Sequence, residues 1–203
     1  MKPALSIVFF TVISGAGCGL LFWLGLLMPL GLLPVVPEFA AGAALFGIVM
    51  TVTGLLSSLG HLGHPERAWR ALSQWRSSWL SREGVAAIAT LLPAGLYMLA
   101  MFAGYTGPAT VLGLLMAAGA VATVYCTAMI YGSLKPIREW THPLVVPGYL
   151  VLAGFLGAAM LAALSGAART PVRLAELLGR AGLLLKRAYW AAIDSAVPDS
   201  TME

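Results

Sequence analysis

Polar and apolar positions along this chain fall into long blocks rather than a fine alternation. Charged side chains are absent from 3–37, 39–65, 84–134 and 140–168. A helix crosses a hydrocarbon core in roughly 20 apolar residues, so every one of these blocks is long enough. Divided at their helix breakers, they predict spans near 5–29, 39–60, 85–102, 110–131 and 144–164. The breaks are the turn from Gly31 to Pro37 and the run Gly104-Tyr105-Thr106-Gly107-Pro108. Short breaks make the flanking helices antiparallel neighbours. The expected fold is all-α: a polytopic transmembrane bundle of five spans plus one further helix, forming a single membrane-embedded domain over 1–203.

The last segment, 171–197, has a different pattern. Arg173, Glu176, Arg180, Arg187 and Asp194 recur at spacings of three, four and seven, along one side of a helix. Leu174, Leu177, Leu178, Leu184, Leu185 and Tyr189 lie mostly elsewhere. Two readings stay open here: an amphipathic helix at the interface, or a sixth span whose polar stripe is buried against its neighbours.

Composition agrees with lipid as the solvent. Hydrophobic residues make up 60% of the chain and charged residues 10%, too few to clothe a water-facing surface. The first apolar run, from about Leu5 to Leu33, exceeds a secretory h-region of roughly 7–15 residues and lacks a small-x-small cleavage site, so it reads as a retained span. The pI of about 9.3 rests on a few loop charges and offers no continuous basic face for nucleic acid. Gly15 with Gly19, and Gly113 with Gly119, read as points of close helix packing. Cys18 and Cys126 lie in apolar runs without CxxC spacing and cannot alone hold an iron–sulfur cluster or zinc.

Candidate chemistry concentrates between the second and third spans. The stretch from His61 to Glu83 combines arginines, tryptophans and two histidines as no other segment does. Pro65 and Glu66 suit the first turn of a short helix. Ala68, Leu72, Trp75 and Trp79 would share its apolar face, with Arg67, Arg70, Gln74 and Ser77 opposite, describing a helix lying on the membrane surface. One reading makes this an amphipathic connector whose arginines bind lipid phosphates. The other begins from His61, ending one apolar helix, and Glu83, opening the next. Imidazole titrates near neutrality and a desolvated carboxyl moves toward that range, so together they could take protons from a quinol hydroxyl.

At this loop the sequence resembles the membrane anchor subunits of dimethyl sulfoxide reductase. The residues that carry the likeness are His61-Leu62-Gly63, Pro65, Arg67-Ala68, Ala71-Leu72 and Leu80-Ser81 followed by Glu83. A weaker echo is Lys186, Ala188-Tyr189-Trp190 and Ile193-Asp194. The resemblance implies a non-catalytic electron-transfer subunit in the bacterial cytoplasmic membrane. It would oxidise menaquinol or ubiquinol and pass electrons to a four-cluster iron–sulfur subunit, which feeds a molybdopterin catalytic subunit. It places the quinol site at His61, Glu83, Arg67 and His64, with Arg70 and Arg76 docking the partner, and the clusters and molybdopterin on the partner chains. It also implies eight helices, so this chain, ending about where the sixth would, is expected to be shortened at its C-terminal side. Counting basic loop residues puts the 61–83 loop in the cytoplasm. An exported partner subunit puts it outside, and the outside placement is the expectation adopted.

Rival classes make different demands. A purely structural anchor would not touch quinone. A one-haem cytochrome b would pair His61 or His64 with His142; a stack of two haems is excluded by the lack of mid-span histidines. A transporter would normally carry ionisable residues near mid-membrane, where the first five spans carry none.

Overall fold

A computed structural model describes residues 5–34, 36–58, 70, 72–137 and 139–195. Among these, six helices follow one another: α1 (Leu5–Leu27), α2 (Pro37–Ser57), α3 (Trp79–Phe102), α4 (Thr106–Gly132), α5 (Val145–Leu164) and α6 (Arg169–Asp194). The first five are long and apolar enough to cross a membrane. The chain reverses where the sequence places its breakers. Gly31 and Gly104 both take positive φ, 68° and 78°, just past a helix end. There the Leu32 N–H donates to the Leu27 carbonyl and the Tyr105 N–H to that of Ala100, satisfying acceptors the helices leave open. Pro37 then starts α2, where its missing N–H costs nothing.

The bundle is organised around α1, which packs on α2, α4 and α5, while α3 lies against α4. Leu20, Leu21 and Leu24 of α1 are fully buried at its centre. Lipid gives helices little hydrophobic reason to associate, so close approach must come from small residues. A side chain at Gly19 would strike the backbone of Ala153 and Gly157, and one at Gly157 would strike that of Gly19. Gly25 meets Gly113 in the same way, and Gly119 sits against Thr90. The glycines expected to mark packing therefore include three that form such crossings: Gly19, Gly113 and Gly119. Trp23 locks the α1–α5 crossing by donating its indole N–H to the Gly154 carbonyl at 2.8 Å.

α3 starts six residues earlier than the sequence pattern suggests. Ser78, extended in backbone, accepts from the Ser81 N–H at 3.4 Å, so the helix is capped before its charged residues rather than after them. Arg82 and Glu83 consequently belong to its first turns. Of the surface helix expected from Pro65 onward, the described part is a 3₁₀ turn over 72–74 and a bend into Trp79, which opens α3. Leu72 and Trp75 are exposed there.

α6 runs antiparallel along α5. Leu178 meets Gly154, Gly179 meets Phe155, and Gly182 meets Val151 and Leu152. At its far end the Tyr189 hydroxyl donates to the Glu139 carbonyl at 3.0 Å. The polar stripe is not buried against neighbours of this chain: Arg173, Glu176, Arg180 and Arg187 are all exposed.

Candidate functional site

Alternation of the helices brings the α2–α3 and α4–α5 connections, the start of α1 and the end of α6 to one end of the bundle. Glu83 lies just inside that end. It is 3% exposed, and it is the one buried charged side chain among the described residues. Its partner is Thr127 of α4, whose hydroxyl donates to Glu83 Oε1 at 2.5 Å. The Thr127 hydroxyl also lies 3.0 Å from the Thr123 carbonyl. One helical turn further in, the hydroxyls of Thr90 and Thr123 meet at 3.0 Å. The α3–α4 seam thus carries a polar ladder through an apolar bundle.

This arrangement satisfies either protonation state of the carboxyl. When Glu83 is ionised, Thr127 donates to it. When Glu83 is protonated, its own O–H can donate to Thr127, whose proton then turns to the Thr123 carbonyl. A buried group that must gain and lose a proton needs such a reversible partner, because an orphaned polar atom costs about 1–3 kcal/mol.

Thr127 also lines a cleft of about 420 Å³ between α1, α4 and α5, together with Thr11, Ser14, Cys18, Thr123 and Tyr149. A second cleft, also about 420 Å³, adjoins it toward the loop end and is bounded by Tyr131, Trp140, Tyr149, Lys186, Tyr189 and Trp190. Thr11, Tyr149 and Leu152 belong to both. Tyr131 stacks on Tyr149 with ring centres 5.8 Å apart and meets Trp140 edge-on at 5.3 Å. His142 packs edge-on against Tyr189, and its Nδ1 accepts from the Leu144 N–H at 3.2 Å.

Of the residues singled out from the sequence, Glu83 is buried beside this cleft, and Arg70 and Arg76 are exposed at the same end. Arg76 lies 5.6 Å from the Trp75 ring centre. His61, His64 and Arg67 lie outside the described residues. Arg82, which sequence reasoning misses, caps the loop: its guanidinium stacks 4.2 Å above Trp79 and donates to the carbonyls of Trp75 and Arg76. Thr127, Tyr131 and Tyr149 carry no such signal in the sequence, being single uncharged polar groups on apolar helices. Lys186, Tyr189 and Trp190, by contrast, come from the weaker of the two sequence echoes. They line a cleft that adjoins the one beside Glu83. The described residues contain no group of three or more His, Cys, Asp or Glu that could hold a metal.

These features define a polytopic helical membrane protein with a protonatable site at one end of its bundle. The chain belongs to the DMSO reductase anchor subunit (DmsC) family, whose model matches residues 1–185. It is 34% identical over 192 residues to a sulfite dehydrogenase subunit of Allochromatium vinosum, a match covering 85% of this chain and 58% of that one. The chain therefore spans well under two thirds of the length of that curated relative. No solved structure matches it.

Proposed function

We propose that this chain anchors a molybdoenzyme in the bacterial cytoplasmic membrane and oxidises quinol there, with Glu83 accepting protons. The supporting observation is Glu83 itself. A carboxyl drawn out of water among apolar spans is expensive, and such groups mark proton or substrate paths. Quinol oxidation releases two electrons and two protons. In this reading the electrons pass to iron–sulfur clusters of a partner subunit and on to its molybdopterin partner. The protons pass one at a time through Glu83 to water at the 61–83 loop. His61, His64 and Arg67 complete the quinol site from that loop, and the exposed Arg70 and Arg76 engage an acidic face of the partner.

The name of the curated relative favours a second direction of flow. A dehydrogenase withdraws electrons from its substrate, so an anchor serving one would reduce quinone rather than oxidise quinol. By microscopic reversibility the same carboxyl then supplies protons instead of taking them.

The assembled complex tests the proposal. His61→Ala and Glu83→Gln should each lower quinol-driven turnover at least about tenfold, consistent with general acid–base contributions of roughly 10²–10⁴-fold. Turnover from an artificial donor to the soluble subunits should be unchanged. Undiminished quinol-driven turnover in Glu83→Gln would refute the assignment of the carboxyl.

A further inference from the structure

Among the described residues, the inner cleft contains one hydroxyl that the protein does not use. Every other hydroxyl lining the inner cleft is committed to the chain. Thr11 donates to the Ile7 carbonyl, Ser14 to Phe10, Thr123 to Gly119 and Thr127 to Glu83. Tyr149 makes no side-chain hydrogen bond among the described residues, although its ring is held by the stack on Tyr131. It also stands where the inner cleft meets the outer one. A polar handle on a fixed ring, at the junction of two apolar clefts, is built to orient a guest that carries an acceptor oxygen.

The shape of the surroundings narrows the guest. The outer cleft is walled by aromatic rings, two of them the tryptophans Trp140 and Trp190, which are partly exposed and sit at the headgroup end of the bundle. The inner cleft is open along α1 and α5 at Val12 and Leu152, which are 48% and 52% exposed and would face lipid. A third cleft, of about 320 Å³, continues from the inner one past Cys18, Val124 and Ala153 toward Phe22 and Trp23. A flat ring with oxygens at its edge and a long apolar tail matches this sequence of spaces.

We propose that the cleft between α1, α4 and α5 seats the ring of a lipid-borne quinone, with Tyr149 donating a hydrogen bond to one ring oxygen and Thr127 standing between the ring and Glu83. The inference rests on the quinol reading above and adds the binding residues on α4 and α5 and the route along α6. Tyr149 is a positioning residue: it fixes the ring and exchanges no proton with it. The tail runs toward Phe22 and Trp23, the ring is admitted from lipid beside Val12 and Leu152, and the outer cleft behind Trp140, Tyr189 and Trp190 leads from the ring to the headgroup end.

Tryptophan fluorescence of the purified full chain in detergent, titrated with decylubiquinone and with menadione, tests this, because Trp140 and Trp190 border the path. The wild-type protein should show saturable quenching. Tyr149→Phe, which removes one oxygen and keeps the stacked ring, should weaken binding about three- to tenfold, the range of one hydrogen bond. Val12→Trp, which fills the cleft from its lipid side, should weaken it more than tenfold. Val49→Trp, on the exposed face of α2, should leave it unchanged. Decyl alcohol, which has a tail and no ring, should fail to displace the quinone. Saturable binding that ignores both Tyr149→Phe and Val12→Trp would overturn this placement while leaving the quinol reading intact. Displacement by decyl alcohol would make the cleft an acyl-chain groove and overturn it likewise. Absence of saturable binding together with absence of quinol-driven turnover in the complex would overturn the functional reading itself.

Discussion

Replacing Thr127 by Val deletes one hydroxyl and little volume, so it isolates the bond to Glu83. Both side chains are buried, 5% and 3% exposed, so little bulk water is at hand to replace the lost donor. Leaving a buried acceptor unsatisfied costs about 1–3 kcal/mol in soluble proteins. Hydrogen bonds between membrane helices average nearer 0.6 kcal/mol and reach about 1.7. A carboxyl accepts more strongly than a neutral group, so the upper part of the membrane range applies, about 1–2 kcal/mol. A double-mutant cycle with Glu83→Met, which removes the acceptor, separates this from the incidental effects of each change. The glutamine carbonyl can still accept from Thr127, so Glu83→Gln alone should cost less than Thr127→Val. The measurement is reversible unfolding of the four proteins in mixed micelles. Thr127→Ser, which restores the donor, should recover most of the stability. The reasoning fails if Thr127→Val unfolds at the wild-type midpoint, or if Thr127→Val and Glu83→Met add without coupling.

Other consequences follow from packing and from the loop. Gly157→Ala places a methyl against the backbone of Gly19, which cannot move aside, so it should destabilise the bundle by about 1–3 kcal/mol in the same assay. Gly42→Ala meets nothing within 4 Å and should be neutral or slightly stabilising. Equal effects at the two positions would contradict the close α1–α5 crossing. Arg82→Ala removes a stacked guanidinium and two carbonyl contacts, and should raise tryptic cleavage after Arg70 and Arg76 severalfold in limited digestion. Arg82→Lys keeps the charge but loses the planar fork, and should protect only in part.

Much of the architecture is legible because lipid imposes a simple code. Charge-free blocks bounded by Gly and Pro place five helices within a few residues of their observed ends. The exception is the start of α3, where charge alone suggests a boundary. The serine cap at Ser78 overrides it and carries Arg82 and Glu83 into the helix. α6 shows a different limit. Its stripe of charges reveals a helix and its period but not which side a neighbour covers, and here the arginines face outward. Glu83 stands out in the sequence as the acid at the edge of a span. Thr127 does not, since mid-span threonines commonly bond back to their own helix, as Thr51 and Thr90 do here. Only the α3–α4 pairing distinguishes it. Tyr131 and Tyr149 are 18 positions apart on successive helices, and their stacking depends on how α4 and α5 meet, which no local pattern encodes.

On the proposed function, Glu83 changes its protonation as a quinone changes its redox state. Infrared difference spectroscopy of the full complex, cycled between oxidised and reduced quinone, observes this directly through the carbonyl stretch of a protonated carboxyl. The wild-type protein should show a redox-linked carboxyl band that disappears in Glu83→Gln and shifts in Thr127→Val. A band that persists unchanged in Glu83→Gln would contradict this role of Glu83.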